Sequence, residues 1–223
     1  MAQVQICRGF GHEDWKDLAT RLTKEAPNEE AWKRAIEVFK RRMDERFFSC
    51  IKALECADSR LKYEEIPDGP NADRPLPPEQ ATLPGFAIMG LCCVVIETLQ
   101  SFRLGTRGGT NETLKTFLQE RPAFKQDGSF GKEEIAKDFA NGIRNGILHW
   151  AETRQWVIRR DQPEKQMIEP RQGRYHLNRT RFVEILTKEY QTYFAVLANT
   201  ENPENSDLRK KFLRRMNGIA EEC

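Results

Sequence analysis

Apolar residues recur at intervals of three, four and seven along most of this chain, the period of helices that bury one face. Trp32, Ile36, Phe39, Met43, Phe47 and Leu54 form the first long stripe, with Lys33, Arg34, Lys40, Arg41 and Glu45 on the other faces. Pro27 and Asn28 open this helix, Glu29 and Glu30 lie near its positive end, and it is expected to run to about Ala57. Residues 1–26 read as a short N-terminal arm, in which 14–23 make a small helix on Trp15, Leu18, Ala19 and Leu22. Gly85–Leu104 is expected to be the central helix, because residues 86–96 are apolar nearly all round. Gly105, Gly108 and Gly109 end it. Thr110 starts a short helix on Leu114, Phe117 and Leu118, which Pro122 is expected to stop. Residues 130–150 read as one main helix, with Ile135, Phe139, Ile143 and Ile147 as its buried stripe.

The period then changes. Residues 155–159, 166–168 and 174–177 look like short strands separated by turns. Asn178 or Thr180 starts another helix, carrying Phe182, Ile185, Leu186, Tyr190, Tyr193, Phe194 and Leu197. A polar break at 199–206 precedes a closing basic amphipathic helix at 207–219. Prolines crowd residues 66–84, so the stretch 58–84 is read as a loop. The expectation is a mainly all-α fold: one helical domain over 27–223, with a Pro-rich loop at 58–84 and a small β-hairpin insert at 154–178 before the last long helix.

Composition narrows the class. At 223 residues and 39% hydrophobic content, the chain can bury one sizeable core. The charged fraction is 31% and the net charge is +2, so any basic surface must be local. The apolar run 86–96 is short for a bilayer span and is followed by Glu97. The opening MAQVQICRGF lacks the layout of a signal peptide, which makes the cytoplasm the expected location, with no membrane partner. Six cysteines show no C-x-x-C pair and no histidine at zinc spacing, so reduced thiols and no metal are expected. Gly105, Gly108 and Gly109 follow a helix and lack the Lys-Ser/Thr of a phosphate-binding loop; no cofactor is expected.

The chemistry concentrates in Arg144-Asn145-Gly146-Ile147-Leu148-His149, one of only three places with a histidine. A permanent cation and a group that moves protons near neutral pH are what metal-free RNA cleavage requires. A base takes the 2′-hydroxyl proton, an acid protonates the leaving 5′-oxygen, and a cation meets the phosphorane charge. Asn145 and His149 are four residues apart, so on an α-helix the amide is expected to hold the imidazole. Arg144 is about 140° from His149 at 3.6 residues per turn. Its long side chain is expected to reach round where Gly142 and Gly146 leave the surface bare. One chain offers one such histidine, so a twofold dimer sharing a cleft would supply two. Glu97 is read as an acid that pairs with Arg144 or orients His149. Arg154, Arg159, Arg160 and Arg174, interleaved with Trp156 and Tyr175, are read as an RNA-binding rim. His176 is read as structural.

The stretch from Phe139 to Thr153 (FANGIRNGILHWAET) and the preceding VIETLQSFRLG over 95–105 resemble the HEPN superfamily, the higher-eukaryote and prokaryote nucleotide-binding domain. Its ribonuclease members carry Arg-x(4–6)-His, often Arg-Asn-x-x-x-His, on a late helix of the bundle. The resemblance covers roughly residues 28–215, with the motif as its specific part. It implies a metal-independent endoribonuclease working at a homodimer interface, with Arg144, Asn145 and His149 at the site. Such proteins are often toxins or antiphage-defence effectors, governed by a regulatory protein from the same operon. The superfamily also has non-catalytic members, so a module that binds a partner protein or a nucleotide is the alternative. The Pro-rich loop and the β-insert are elaborations that the basic bundle does not require.

Overall fold

A computed structural model describes residues 5–22, 28–60, 84–107, 109–127, 130–161 and 164–221. The Pro-rich stretch from Pro67 to Pro78 lies outside the described residues. The chain order is β1 (Gln5–Cys7), β2 (Phe10–Gly11), α1 (His12–Leu22), α2 (Glu29–Met43), α3 (Ser49–Arg60), α4 (Gly85–Leu104), α5 (Asn111–Glu120), α6 (Pro122–Asp127) and α7 (Glu133–Phe139). A π-helix spans Ala140–Trp150. β3 (Trp156–Arg159), β4 (Ile168–Arg171), β5 (Arg174–Asn178), α8 (Arg179–Ala198) and α9 (Asn205–Glu221) follow.

The mainly helical class is as expected, and α4 is its axis. It packs against α5, α8, α9 and the π-helix. Ile88, Met89, Cys92, Cys93, Val95, Ile96 and Leu99 are all fully buried, because neighbours surround this helix. Its twenty residues are long and apolar enough to cross a membrane, contrary to the shorter run expected, yet most of its apolar window is covered by the bundle. Two aromatic clusters fill the core. Phe39, Phe102 and Phe212 join α2, α4 and α9, with Phe39 and Phe102 centroids 4.0 Å apart. Phe124, Phe130, Phe139, Phe182 and Trp156 form the other. The arm adds Ile6, Phe10 and Trp15 to the buried set, and Trp15 Nε1 donates to Asn217 Oδ1 on α9 at 2.8 Å.

Helix starts follow the capping residues. Asn28 Oδ1 accepts from Ala31 N, Thr110 Oγ1 from Thr113 N and Asn178 Oδ1 from Arg181 N. Gly105 ends α4 in the left-handed region at φ 70°. Pro122 does break the α5 helix, but it also begins α6, where its missing N–H costs nothing. The first long stripe is interrupted: a π-helical turn at Asp44–Phe48 separates α2 from α3. Beyond that turn Ile51 is buried, while Phe47 and Leu54 are only half-buried. An extra residue in a turn rotates everything after it, which the spacing of apolar residues alone does not reveal.

The insert is more than a hairpin. β4 and β5 pair antiparallel, but β3 runs parallel to β5 on its other edge, giving the order β3-β5-β4. Trp156 lies opposite Tyr175 in that register. The sheet is tied to the bundle by a buried ion pair. Asp58 on α3 is 0% exposed and bonds Arg179 at the start of α8, while Arg160 donates to the Asp58 carbonyl. Removing one partner strands a buried charge. Asp58→Ala is expected to destabilise the fold by about 3–5 kcal/mol. Denaturant unfolding measures this, and a loss within experimental error would show that the pair is not structural.

Candidate functional site

The helix that carries Arg144 and His149 is built by close backbone approach. After Trp150 the chain turns at Ala151, which is left-handed at φ 55°, and folds back along the helix. Gly142 and Gly146 form its seat. A Cβ on Gly142 would lie 2.7 Å from Trp156 Cδ1, and one on Gly146 would collide with the Glu152 carbonyl oxygen. The glycine face is therefore occupied by residues 152–156, not bare as expected. Trp156 is locked there: its Nε1 donates to Asp138 Oδ2 at 2.7 Å, and Thr153 Oγ1 donates to its carbonyl at 2.6 Å. At 2% exposure it belongs to the core and is not open for base stacking.

The π-helix changes the angular relation of the motif. When bonds run from i to i+5, a turn holds more residues than in an α-helix. Arg144 and His149, five apart, are therefore closer in angle around the axis than an α-helix would put them. Such helices are rare and mostly single-turn, and they are frequent at functional sites.

Arg144 is held from three sides. Its Nε donates to Glu97 Oε1 at 2.8 Å, its Nη1 to Asn145 Oδ1 at 2.9 Å and its Nη2 to the Gly109 carbonyl at 3.1 Å. The pair with Glu97 is mostly enclosed, the two side chains being 17% and 15% exposed. Guanidinium has five N–H bonds, so two remain after these three. Asn145 orients the arginine, not His149, which corrects the expected amide–imidazole pair; with Asn145 bonded to Arg144, its oxygen is already engaged. Glu97 pairs with Arg144, one of the two options read from the sequence. Gly109, at φ 133°, brings its carbonyl to the site, although the sequence marked it only as part of a helix end. A glycine beyond a helix end carries no signal of what its carbonyl will meet.

His149 is exposed and makes no hydrogen bond to other described residues. Its ring meets Trp150 edge-on at 6.4 Å. Leu148 and Trp150 flank it as two of the few large apolar side chains left exposed. Arg154 stacks over the Trp150 ring at 4.7 Å, which places one of the four rim arginines beside the histidine. Arg159 and Arg174 are exposed on the sheet. Arg160 is also exposed, and it donates to the Asp58 carbonyl. His176 lies on β5 opposite Glu169 and Val157. Partial burial, with Arg159 and Arg171 nearby, holds its imidazole below the usual value and favours the neutral form. That fits a structural residue.

Comparison with known proteins adds no relative. No family model, curated protein or solved structure matches this chain.

The glycine seat yields a test. Gly146→Ala is expected to lower stability by about 1–3 kcal/mol or more through overpacking. Gly218→Ala on α9 is the control: its Cβ would meet Arg215 Nη1 at an ordinary 3.5 Å, so it should be neutral or mildly stabilising. Thermal melts of the two variants check the contrast, and equal melting temperatures would contradict the close approach.

Proposed function

We propose that this chain is a metal-independent endoribonuclease of HEPN type, active as a homodimer. What supports the reading is that Arg144 and His149 lie on one π-helix, five residues apart, the arginine anchored with N–H bonds to spare and the histidine open to solvent. His149 moves protons between the 2′-hydroxyl, the 5′-oxygen and solvent. Arg144 meets the charge that grows on the phosphorane, and an arginine already fixed in place needs no reorganisation to do so. Asn145 and Glu97 keep the guanidinium aimed. Glu97 also tempers its charge, so phosphate competes with a carboxylate that is already there.

The dimer supplies the second histidine that acid–base cleavage uses. Leu148 and Trp150, exposed on either side of His149, suit a surface that a second copy covers. Arg154, Arg159 and Arg174 then border the cleft as contacts for the RNA backbone. A toxin or antiphage-defence role, held in check by a protein from the same operon, goes with this chemistry.

The second reading is a non-catalytic HEPN-like module that binds a partner protein or a nucleotide. The three bonds that tie Arg144 to Glu97, Asn145 and Gly109 favour it, because a purely structural arginine looks much the same.

One assay separates the two. Purified wild type, His149→Ala and Arg144→Ala are incubated with total RNA in EDTA, and the cut ends are mapped. The nuclease reading expects cleavage by wild type, insensitivity to EDTA and a loss of about 100-fold or more in His149→Ala. Because His149 is exposed and unbonded, its alanine variant should melt with the wild type. Chelator-sensitive cleavage, or cleavage retained in His149→Ala, would overturn the mechanism.

A further inference from the structure

A cavity of about 320 Å³ is walled by Asn111, Glu112, Lys115, Glu133, Lys137 and Asn141. One short loop links its wall to Arg144. Arg144 bonds the carbonyl of Gly109, and two residues on, Asn111 Nδ2 donates to Asn141 Oδ1 at 3.2 Å. Asn141 stands three residues before Arg144 on the same π-helix. The loop 109–111 thus touches both the guanidinium and the cavity wall.

The wall has unused hydrogen-bonding capacity of both signs. Asn141 accepts from Asn111 with its oxygen, which leaves its two N–H bonds for a ligand. Asn111 Oδ1 is closed off and has no partner among the described residues. The terminal torsion of asparagine is broad, so an arriving N–H can draw that oxygen out in exchange for the bond from Nδ2 to Asn141. A neighbouring donor and acceptor match the edge of a nucleobase, on which both occur side by side. Inorganic phosphate has no flat base edge to offer. The cations differ in availability: Lys115 is held by Glu112 at 2.9 Å and by Glu133 at 3.5 Å, whereas Lys137 is exposed and pairs with none of the described acids. The volume lies within the range of small-molecule sites and suits a single base.

We propose that this cavity is a nucleotide subsite, which takes one unstacked base of a single-stranded RNA next to the phosphate held by Arg144. The subsite rests on the nuclease reading for its role in cleavage, but its binding is separable. Asn141 and Asn111 read the base edge, and Lys137 meets the phosphate attached to that nucleotide. Single-stranded RNA is read in this manner, through splayed bases hydrogen-bonded at their edges.

The test uses the full chain and five probes: AMP, GMP, CMP, UMP and inorganic phosphate, with dissociation constants from calorimetry. At least one monophosphate is expected to bind about tenfold or more tightly than inorganic phosphate. Asn141→Leu should remove that margin. Lys137→Ala, at an exposed position where folding is not at stake, should weaken the monophosphate severalfold and leave the order of bases unchanged. In parallel, the positions of RNA cuts should shift in Asn141→Leu. Monophosphates that bind no better than phosphate, or a margin that survives both substitutions, would overturn the subsite. Wild-type cleavage with cut positions unchanged in Asn141→Leu would also overturn it and leave the nuclease standing. Asn141-dependent monophosphate binding without any RNA cleavage would uphold the subsite and sink the nuclease.

Discussion

The site depends on one steric constraint: the chain that returns after Trp150 presses against the helix that carries the motif, with the Glu152 carbonyl at Gly146 and the Trp156 ring at Gly142. Only glycine at 142 and 146 permits that approach. The return fixes the helix from outside, with Trp156 wedged between Phe139 and Tyr175 and bonded to Asp138. From inside, Ile143 is fully buried, and Ile147 packs on α4 beside Gly90. A helix clamped on two sides has little freedom to rotate. The i to i+5 register that brings Arg144 and His149 closer in angle is held by this clamp, since a π-helix is not the form a free segment would choose.

Arg144 extends the constraint across the molecule. Its three bonds reach α4 through Glu97, the loop after α4 through Gly109 and its own helix through Asn145. A largely enclosed pair of this kind is costly to break from one side, because the remaining charge stays without a partner. The same bonds that would present a guanidinium to phosphate also hold the loop 109–111 that walls the adjoining cavity. Chemistry and architecture share residues here, which is why substitutions at Arg144 speak less clearly about catalysis than substitutions at His149.

Much of the fold was legible in the order of apolar residues. The central position of α4 follows from its all-round apolarity, and the start of α8 from Asn178. Phase was harder to read. Both π-helical stretches, Asp44–Phe48 and Ala140–Trp150, break the helical period by adding a residue to a turn, so Ile51 went unnoticed as a core residue and Asn145 was assigned to the wrong partner. Pro122 was read only as a stop, although proline also starts helices. The parallel partner of β5 was not anticipated, since a non-local strand pair leaves no trace in spacing. At the candidate site, the Arg-Asn-x-x-x-His residues were singled out by their types, their spacing and the family resemblance. The Gly109 carbonyl and the wall formed by Asn111 and Asn141 were not, because they arise from where a loop lands.

Of the four tryptophans, Trp15, Trp32 and Trp156 are buried, and Trp150 stands 54% exposed beside His149. The long-wavelength edge of the intrinsic emission therefore belongs to a single indole, and on the proposed function that indole sits where a second protomer or a nucleic acid strand would arrive. The chain carries its own optical reporter at the surface in question, with no dye or label to perturb it.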